Sequence, residues 1–432
     1  MRLRLRDALR LVRTSTGRVR LASGLRQAAR PIFDHLAKRR RRKTLAQTRV
    51  TVVVGSFGKT TTARAVTAAL GFPVSEAIEF NTGTAPARAL LHLPRRARHA
   101  VLEIGIDGPG QMRGRAEMVR PDIVVVTGVG SEHGRSLGDL EATRREKAEM
   151  VRFLSPSGVA VLNGDDPNVR WMAGQTPGRV VLFGTSADAD VRAQDIVVDF
   201  PTGTSFTLIV DGARREMQTK LLGRKAVLHV LAAIAVGLTE GKDLDGMLER
   251  LKAVPAARKR LEPVLLEDGT VLLRDEFKSA VETIHAALDL LEEIHGRRKV
   301  VVLGEVSEPP GSQGPIYRAI GGRVAQAADA VVHVGHDLQR YTTGLRRAGM
   351  DRAAIHDAGG DLMRAVEIVR GIQRPGDVIL IKGRDTQRLD RVALALMGRQ
   401  VRCMVSFCNL KLGPCDTCSY LSRGWPDNIV RM

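Results

Sequence analysis

The chain has 432 residues, of which 44% are hydrophobic, so it is long enough for two or three domains with cores of their own. Aromatic residues make up 3% of the chain, which disfavours nucleic-acid binding by base stacking, and a nucleic-acid partner is not expected. The formal net charge is +20, with a dense group of arginines in residues 1–48. Such a basic arm can bind an anionic membrane surface or a protein partner, or it can be a solvated extension.

The sequence contains no uninterrupted apolar stretch of the roughly 18 residues that a membrane-spanning helix needs. The basic N-terminal region also lacks the apolar core of a secretory signal. We therefore expect a cytoplasmic protein, with the basic arm as a means of peripheral attachment at the inner membrane surface. Leucines and valines spaced among the arginines of residues 1–48 predict helix, with an interruption near Pro31.

From Val50 onward, short apolar runs alternate with helical stretches, which is typical of an α/β fold with a mainly parallel sheet. Residues 180–222 alternate more strongly and contain turn signals, so we predict an antiparallel section there. The clearest predicted strands of this region are Val50–Val54, Val101–Ile104, Ile123–Thr127 and Val159–Leu162.

A second α/β pattern, smaller and Rossmann-like, follows a predicted hinge at Pro255–Arg258. Its clearest predicted strands are Val300–Leu303, Ala330–Val334 and Val378–Ile381. The predicted parts of the chain are a basic helical arm (1–48), a central nucleotide-binding domain (49–255), a C-terminal domain (256–400) and a four-cysteine tail (401–432).

The stretch from Gly55 to Thr61 has the pattern G-x-x-G-K-T-T between a predicted strand and a predicted helix. A loop in this position turns backbone N–H groups of residues such as Gly55, Ser56 and Gly58 towards phosphates, at a helix N-terminus that also favours anions. Lys59 would reach the β- and γ-phosphates of ATP, and Thr60 or Thr61 would bind Mg²⁺. The sequence therefore predicts an ATP-using enzyme.

Several polar residues recur at the ends of the predicted strands that follow. Asn81 lies in a turn with a following proline, and Glu103 ends a strand as part of Glu-Ile-Gly. His133 follows the next strand, and Lys147 comes 14 residues later. Asn163 opens an Asn-Gly-Asp-Asp segment that closes a further strand.

The short phosphate loop and these motifs, in this order, resemble the Mur ligase family of ATP-dependent amide ligases, over residues 49 to 400. The pattern of motifs is most similar to that of the branch that adds D-alanyl-D-alanine to a UDP-muramoyl tripeptide. The resemblance implies that Lys59, Glu103, His133 and Lys147 are catalytic, and that the last three join Thr60 in binding Mg²⁺. It also implies a carbamylated lysine at position 147. Taken alone, Lys147 stands in a charged helix and could belong to an exposed, ion-paired face.

In the C-terminal domain the resemblance implies that Asp275 reaches over the nucleotide and that an arginine near the hinge, Arg258 or Arg260, binds it. Asn163 is implied as a further nucleotide contact. The physical chemistry agrees with this assignment, because a carboxylate must be activated as an acyl phosphate before an amine can attack it, and the transferring phosphoryl group needs fixed cations.

The chain departs from the family pattern in three places. Residues 1–48 are too few for the family's usual N-terminal domain, so a UDP-muramoyl substrate held in the usual way is not expected. The helix after Gly223 carries Lys225, Ala226 and His229 where asparagines that contact adenine are usual. Lys278 and the residues after it differ from the family's longer polar run, so the incoming amine cannot be inferred.

All four cysteines lie near the C-terminus, at Cys403, Cys408, Cys415 and Cys418. Four clustered thiols in a cytosolic chain favour a metal over disulfides, and a structural Cys₄ zinc site is the leading interpretation. An iron–sulfur cluster and free or redox-active thiols are the alternatives.

The leading functional hypothesis is an ATP-dependent, ADP-forming ligase that joins a carboxylate to an amine, with substrates related to the cell wall or to peptides. The alternative is a Mur-like protein that binds ATP without ligating, as a regulator or scaffold. A nucleic-acid-dependent ATPase depends on charge alone and is disfavoured.

Overall fold

The computed structural model describes residue 22 and residues 24–74, 81–131, 137–309, 311–404 and 415–424. Two compact units divide between Ala257 and Arg258, within the predicted hinge. We call Ala29–Ala257 the central unit and the part from Arg258 onward the C-terminal unit. The four-part division predicted from the sequence stays a prediction. Among the described residues, no helix is both long enough and apolar enough to cross a bilayer.

The central unit alternates strands and helices before ending in a β-meander and two helices. Its helices are Arg30–Lys43 (α1), Lys59–Ala69 (α2), Ala85–His92 (α3), Gln111–Val119 (α4), Leu140–Arg152 (α5), Pro167–Arg170 (α6), Arg224–Thr239 (α7) and Leu244–Lys252 (α8), with a 3₁₀ turn at Trp171–Gln175. Its strands are Arg49–Val54 (β1), His99–Glu103 (β2), Ile123–Val126 (β3), Val159–Asn163 (β4), Arg179–Gly184 (β5), Val191–Asp199 (β6), Gly203–Val210 (β7) and Ala213–Thr219 (β8).

These strands form one sheet in the order β2-β1-β3-β4-β5-β6-β7-β8. The neighbours from β2 to β6 are parallel, and β6, β7 and β8 are antiparallel. The four strands predicted here from apolar runs are confirmed to within two residues at each end. The predicted antiparallel section is shorter than expected, because β5 continues the parallel sheet and the antiparallel pairing starts with β6 and β7.

Strand β1 determines where the site lies. Its side chains alternate between the two faces, so Val53 enters the core beneath α2 and α7 while Val52 and Val54 enter the core on the opposite face. The next strand along the chain, β2, lies on one side of β1, and β3 lies on the other. The carboxyl end of β1 is therefore a topological switch point, where open α/β sheets bind their ligands.

The basic helix α1 belongs to the central unit, although its charge run suggested a solvated extension. The preceding helical stretch ends at Ala28 and α1 begins at Arg30, with Pro31 in its first turn, so the predicted interruption is confirmed. Ala37 and Leu45 are fully buried in the core beside α3 and α4. For these residues the interpretation as a solvated extension is wrong, because part of the arm is core.

Arg41 shows how a member of the basic run becomes a structural residue. Its side chain is 6% exposed, and its guanidinium donates to the carbonyls of Val119 and Arg120 at 2.8 Å each and to that of Leu45 at 2.5 Å. It also pairs with Asp122 at 3.0 Å. Carbonyls at the end of α4 have no helical partners, and Arg41 satisfies them.

The C-terminal unit is built on a six-stranded sheet. Its strands are Glu262–Leu265 (β9), Val271–Asp275 (β10), Lys299–Leu303 (β11), Ala330–His333 (β12), Ile355–Asp357 (β13) and Val378–Lys382 (β14). They lie in the order β13-β12-β11-β14-β10-β9 and are parallel except for the β9–β10 pair. The three strands predicted here are confirmed. Its helices are Val281–Glu293 (α9), Gln313–Ala327 (α10), Leu338–Arg347 (α11), Leu362–Ile372 (α12), Asp390–Leu396 (α13) and Tyr420–Arg423 (α14), with 3₁₀ turns at Arg352–Ala354, Asp385–Gln387 and Cys415–Thr417.

Candidate active site

The predicted phosphate loop connects β1 to α2 at the switch point of the central sheet. Two of its glycines are required by their surroundings. A Cβ on Gly55 would lie 2.1 Å from the hydroxyl oxygen of Thr127. Gly58 has φ +77°, and a Cβ there would lie 2.4 Å from Cε1 of His229. The loop therefore packs so closely against its walls that side chains at these positions would displace it.

Two buried lysines converge on the loop. Lys59 Nζ donates to the carbonyl oxygen of Gly55 at 2.9 Å, and Lys147 Nζ donates to the same oxygen at 3.1 Å. Lys59 is 6% exposed and Lys147 is 2% exposed. The alternative in which Lys147 belongs to an exposed face is therefore wrong. Two ammonium groups held at one end of the loop give this site the fixed positive charge that a transferring phosphoryl group requires.

Glu103 and Thr60 supply the side-chain oxygen atoms of the site. Thr60 Oγ1 donates to Glu103 Oε2 at 2.6 Å, and Asn81 Nδ2 donates to the other carboxylate oxygen. Of the two candidate threonines, Thr60 and not Thr61 makes this contact. A hydroxyl and a carboxylate are hard oxygen donors of the kind that Mg²⁺ prefers. The chemistry of these donors therefore fits a magnesium ion, with Asn81 orienting the carboxylate.

The remaining predicted metal ligand, His133, lies outside the described residues, so the structure says nothing about its position. Within the described part of the chain, no group of three or more His, Cys, Asp or Glu side chains could hold a metal ion. Of the residues predicted to bind magnesium, the structure therefore describes Thr60 and Glu103, which are in contact, and Lys147, which lies close to the loop.

The Asn-Gly-Asp-Asp segment after β4 supports the loop from the side. Asn163 Nδ2 donates to the carbonyl of Thr127 at 2.9 Å, and Asn163 Oδ1 accepts from the N–H of Asp165 at 3.1 Å. Asp166 accepts from the N–H of Val129 at 2.8 Å. Asn163 thus positions backbone next to the loop, and a direct contact to nucleotide stays a prediction.

His229 is a contact that the sequence analysis missed. Its Nδ1 lies 2.9 Å from Thr62 Oγ1, and its ring lies over Gly58. The sequence signal was its position in the first turns of α7, where the chain departs from the family pattern. The structure shows that the departing histidine contacts the phosphate loop itself and the helix that follows it.

In the C-terminal unit, Asp275 lies at the carboxyl end of β10 and is held from two sides. Lys382 Nζ donates to Asp275 Oδ2 at 2.7 Å and to the carbonyl of Lys278 at 2.7 Å. The N–H of Leu261 donates to Asp275 Oδ1 at 3.3 Å. Burial raises the pKa of Asp275, and the ammonium of Lys382 opposes that rise. The carboxylate is therefore fixed in orientation by a buried ion pair.

Arg260 lies beside this pair, with its guanidinium 4.4 Å from the centre of the Phe277 ring. Its neighbours Lys259 and Leu261 have φ of +60° and +50°, a conformation that L residues adopt only at a cost. The buried Lys259 compensates by donating to Asp390 at 2.6 Å. Of the two candidate arginines, Arg258 is exposed, and Arg260 is the one held near Asp275.

The cysteine tail shows no metal site in its described part. Cys403 and Cys415 are buried and Cys418 is half-buried, none of them in a disulfide with a described residue, and Cys408 lies outside the described residues. Cys415 packs with Leu394 and Leu421, and burial raises the pKa of its thiol to about 12. Cys415 thus contributes to a small apolar cluster. Zinc stays a prediction without support.

Comparison with known proteins connects this geometry to a family. A family model described as the Mur ligase middle domain matches residues 53–237, and one described as the Mur ligase glutamate ligase domain matches residues 259–384. The UDP-N-acetylmuramoyl-tripeptide--D-alanyl-D-alanine ligase of Mycobacterium tuberculosis (strain CDC 1551 / Oshkosh) is 32% identical over 370 residues, which cover 80% of this chain and 72% of the relative. The enzyme with the same name from Escherichia coli K12 is 28% identical over 360 residues, which cover 81% and 76%.

Solved structures show the same fold. A crystal structure of MurF from Acinetobacter baumannii superposes with a TM-score of 0.75 at 21% identity, covering 86% of this chain and 81% of that one. The MurF ligase of Thermotoga maritima in complex with ADP gives a TM-score of 0.73 at 20% identity, covering 85% and 83%.

Proposed function

Since the chain belongs to the Mur ligase family and is an ATP-dependent, ADP-forming ligase that makes amide bonds, we propose that the loop Gly55–Thr61, Glu103 and Lys147 carry its phosphoryl-transfer step. The observation that supports this most strongly is the hydrogen bond between Thr60 and Glu103, with two buried ammonium groups on the neighbouring Gly55 carbonyl. These groups come from three separate segments of the sequence and meet at the switch point of the sheet.

The proposed reaction proceeds in two steps, phosphoryl transfer to the carboxylate and then attack by the amine. A carboxylate oxygen of the first substrate attacks the γ-phosphorus of ATP, the bond to the β-phosphate oxygen breaks, and ADP leaves with the displaced electron pair. The amine of the second substrate then attacks the acyl carbon, the amide forms, a proton is lost from nitrogen, and inorganic phosphate leaves.

The residues act on the charge that develops in the first step. The backbone N–H groups of the loop and the Lys59 ammonium bind the phosphates, and Lys147 adds a second cation. Thr60 and Glu103 would hold Mg²⁺ by their oxygen atoms, and Asn81 keeps the carboxylate turned towards Thr60. A bound magnesium ion would supply charge neutralisation between the β- and γ-phosphates. His133 is proposed as a further ligand on the resemblance alone.

The test is ADP release measured with ATP, a carboxylate substrate and an amine, and with each omitted in turn. Thr60→Val keeps the shape of the side chain and removes the hydroxyl, so we expect the rate to fall about 100-fold, as for loss of one group that stabilises developing charge. Thr60→Ser restores the hydroxyl and should restore most of the rate. Equal rates for Thr60→Val and the unchanged protein would remove Thr60 from the mechanism, and nucleotide binding without any ADP release would favour the non-ligating alternative.

For the substrates, we propose a carboxylate from a cell-wall peptide precursor and a small amine. The relatives are named for a UDP-N-acetylmuramoyl tripeptide and D-alanyl-D-alanine, so this pair is the first to test. A parallel reaction with the muramoyl tripeptide without UDP measures whether the nucleotide contributes to recognition. We expect ADP release with at least one of the two; none with either would exclude muramoyl peptides.

Location and tail chemistry stay proposals. We propose a cytoplasmic protein with α1 near anionic partners, since Arg39, Arg42 and Lys43 are exposed on it. Flotation with anionic and neutral lipid vesicles tests this proposal, and equal recovery with both would refute it. Metal analysis of the purified protein tests the zinc interpretation of the four cysteines, with near-stoichiometric zinc expected.

A further inference from the structure

A solvent-open cavity of about 320 Å³, with charged residues in its walls, lies between α1 and α4 of the central unit. From its geometry we propose a second anion site, which binds a phosphate group of the carboxylate substrate. The proposal deepens the function proposed above and depends on it for the identity of that substrate. The volume is within the range of small-ligand pockets, roughly 300 to 1,000 Å³.

The cavity walls are rich in cations. Arg30 and Lys38 come from α1 and Arg115 from α4, against one lining carboxylate, Asp34. Asp34 is shared, at 3.4 Å from Arg30 and 3.5 Å from Arg115. Lys38 pairs with a rim carboxylate, Glu117, at 2.9 Å. These three cations face three carboxylates, Asp34 in the wall and Glu117 and Glu146 at the rim, so the positive field at the cavity comes from the other cations of α1.

Arg115 is the most buried of the three cations, and its hydrogen bonding is incomplete. It is 1% exposed, and burial lowers the pKa of its guanidinium. Its Nη2 donates to the carbonyl of Gly83 at 2.5 Å. Its Nε and Nη1 are buried and find no hydrogen-bond partner among the described residues, although Nη1 lies 3.5 Å from Asp34. A small rotation of the guanidinium towards the cavity would let an oxyanion satisfy these donors, and a guanidinium fork suits phosphate.

The cavity is connected to the active site through residues 81–83. Asn81 orients Glu103, and Gly83 is the residue that Arg115 contacts. Three residues of extended chain span at most about 10 Å. An anion in the cavity and a carboxylate beside Glu103 can therefore belong to one substrate molecule. The N-terminus of α4 also faces the cavity, but its N–H groups are not available to an anion. Glu146 already accepts from the N–H groups of Gly110 and Met112, at 2.9 and 2.8 Å.

The test measures binding of inorganic pyrophosphate by calorimetry, in the presence of saturating ADP and Mg²⁺ so that the Gly55–Thr61 loop is occupied. Lys38→Gln removes a half-buried lining cation and should weaken binding about tenfold. Gly114→Leu should weaken it at least as much without changing the charge, because Gly114 lines the cavity and a Cβ there meets no atom within 4 Å. Leucine also suits a helix better than glycine, so this variant should fold.

Arg42→Gln is the matched control, since it removes one exposed charge from the same helix outside the cavity, and it should bind within about twofold of the unchanged protein. Equal loss in Arg42→Gln and Lys38→Gln, unchanged binding in Gly114→Leu, or no pyrophosphate binding at saturating ADP would overturn the site. Malonate binding as tightly as pyrophosphate would overturn the phosphate assignment.

This measurement needs no turnover. Failure of the ligase assay with intact pyrophosphate binding would therefore count against the proposed substrates. A working ligase without pyrophosphate binding would count against this cavity alone.

Discussion

Replacing Arg41 by glutamine tests whether the basic helix α1 is a structural part of the central unit. The guanidinium donates to three backbone carbonyls and pairs with Asp122 at 3.0 Å. Removing one partner of a buried ion pair costs about 3 to 5 kcal/mol. Asp122 is 30% exposed and keeps a 2.8 Å hydrogen bond from the N–H of Val50, so the loss belongs at the lower end, about 3 kcal/mol.

The assay is urea unfolding followed by the fluorescence of Trp171, which lies in the central unit. Replacing Trp425 by phenylalanine in all variants makes Trp171 the sole tryptophan, since the chain has two. A loss of about 3 kcal/mol at an m-value of about 2 to 3 kcal/mol/M moves the midpoint down by about 1 M. Arg42→Gln should move it by less than about 0.3 M, because the side chain is exposed. Equal shifts for the two variants would refute the structural role of Arg41.

Gly58→Ala should weaken ATP binding at least about tenfold, because the new Cβ would lie 2.4 Å from Cε1 of His229 at a φ of +77°; calorimetry with ATP measures this. Lys382→Met should destabilise the C-terminal unit by about 3 to 5 kcal/mol by leaving Asp275 buried without its cation, and urea unfolding measures this. His333 is fully buried, and burial lowers its pKa to about 4 from 6.5. Because the unfolded chain binds the proton more tightly, stability should fall as the pH drops from about 6.5 to 4, by roughly 3 kcal/mol. His333→Leu should flatten that slope, as measured by urea midpoints across this pH range.

Each of these predictions has a control. Gly212 has the same φ of +77° with no atom within 4 Å of a Cβ, so Gly212→Ala should leave ATP binding unchanged; equal effects at both glycines would contradict the packing argument. Adding Asp275→Leu to Lys382→Met should recover part of the stability, since no charge is then left unpaired. Additive losses would contradict the ion-pair argument. An unchanged acid slope in His333→Leu would assign that slope to other groups.

The sequence predicted those features that local pattern determines. Short apolar runs bounded by glycine and aspartate marked β1 to β4, because a strand buried on both faces needs little else. The loop from Gly55 to Thr61 was recognisable because a strand end, two glycines and a helix start are contiguous. Thr60 followed from the phosphate-loop pattern and Glu103 from the family resemblance, and the structure brings their side-chain oxygens to 2.6 Å.

Features that depend on distant parts of the chain escaped prediction. Arg41 stands in a run of cations, and the carbonyls that hold it come from Val119 and Arg120, far along the sequence. Lys147 could be interpreted as exposed because its own helix is rich in charged residues. In the structure it donates to the carbonyl of Gly55, which is distant in the sequence. His229 could be seen as a departure from a pattern, but its contact with Thr62 needs the folding of α7 onto α2.

The central claim, amide formation through an acyl phosphate at Thr60 and Glu103, is tested most directly by following one oxygen atom. The carboxylate substrate is labelled with ¹⁸O, and the inorganic phosphate released with ADP and amide is analysed by mass spectrometry. Transfer through an acyl phosphate places one ¹⁸O in each phosphate, and Thr60→Val and Glu103→Gln should lower the yield of labelled phosphate about 100-fold. Amide product accompanied by unlabelled phosphate would contradict the acyl phosphate, and a full yield of labelled phosphate from both variants would contradict the assigned site.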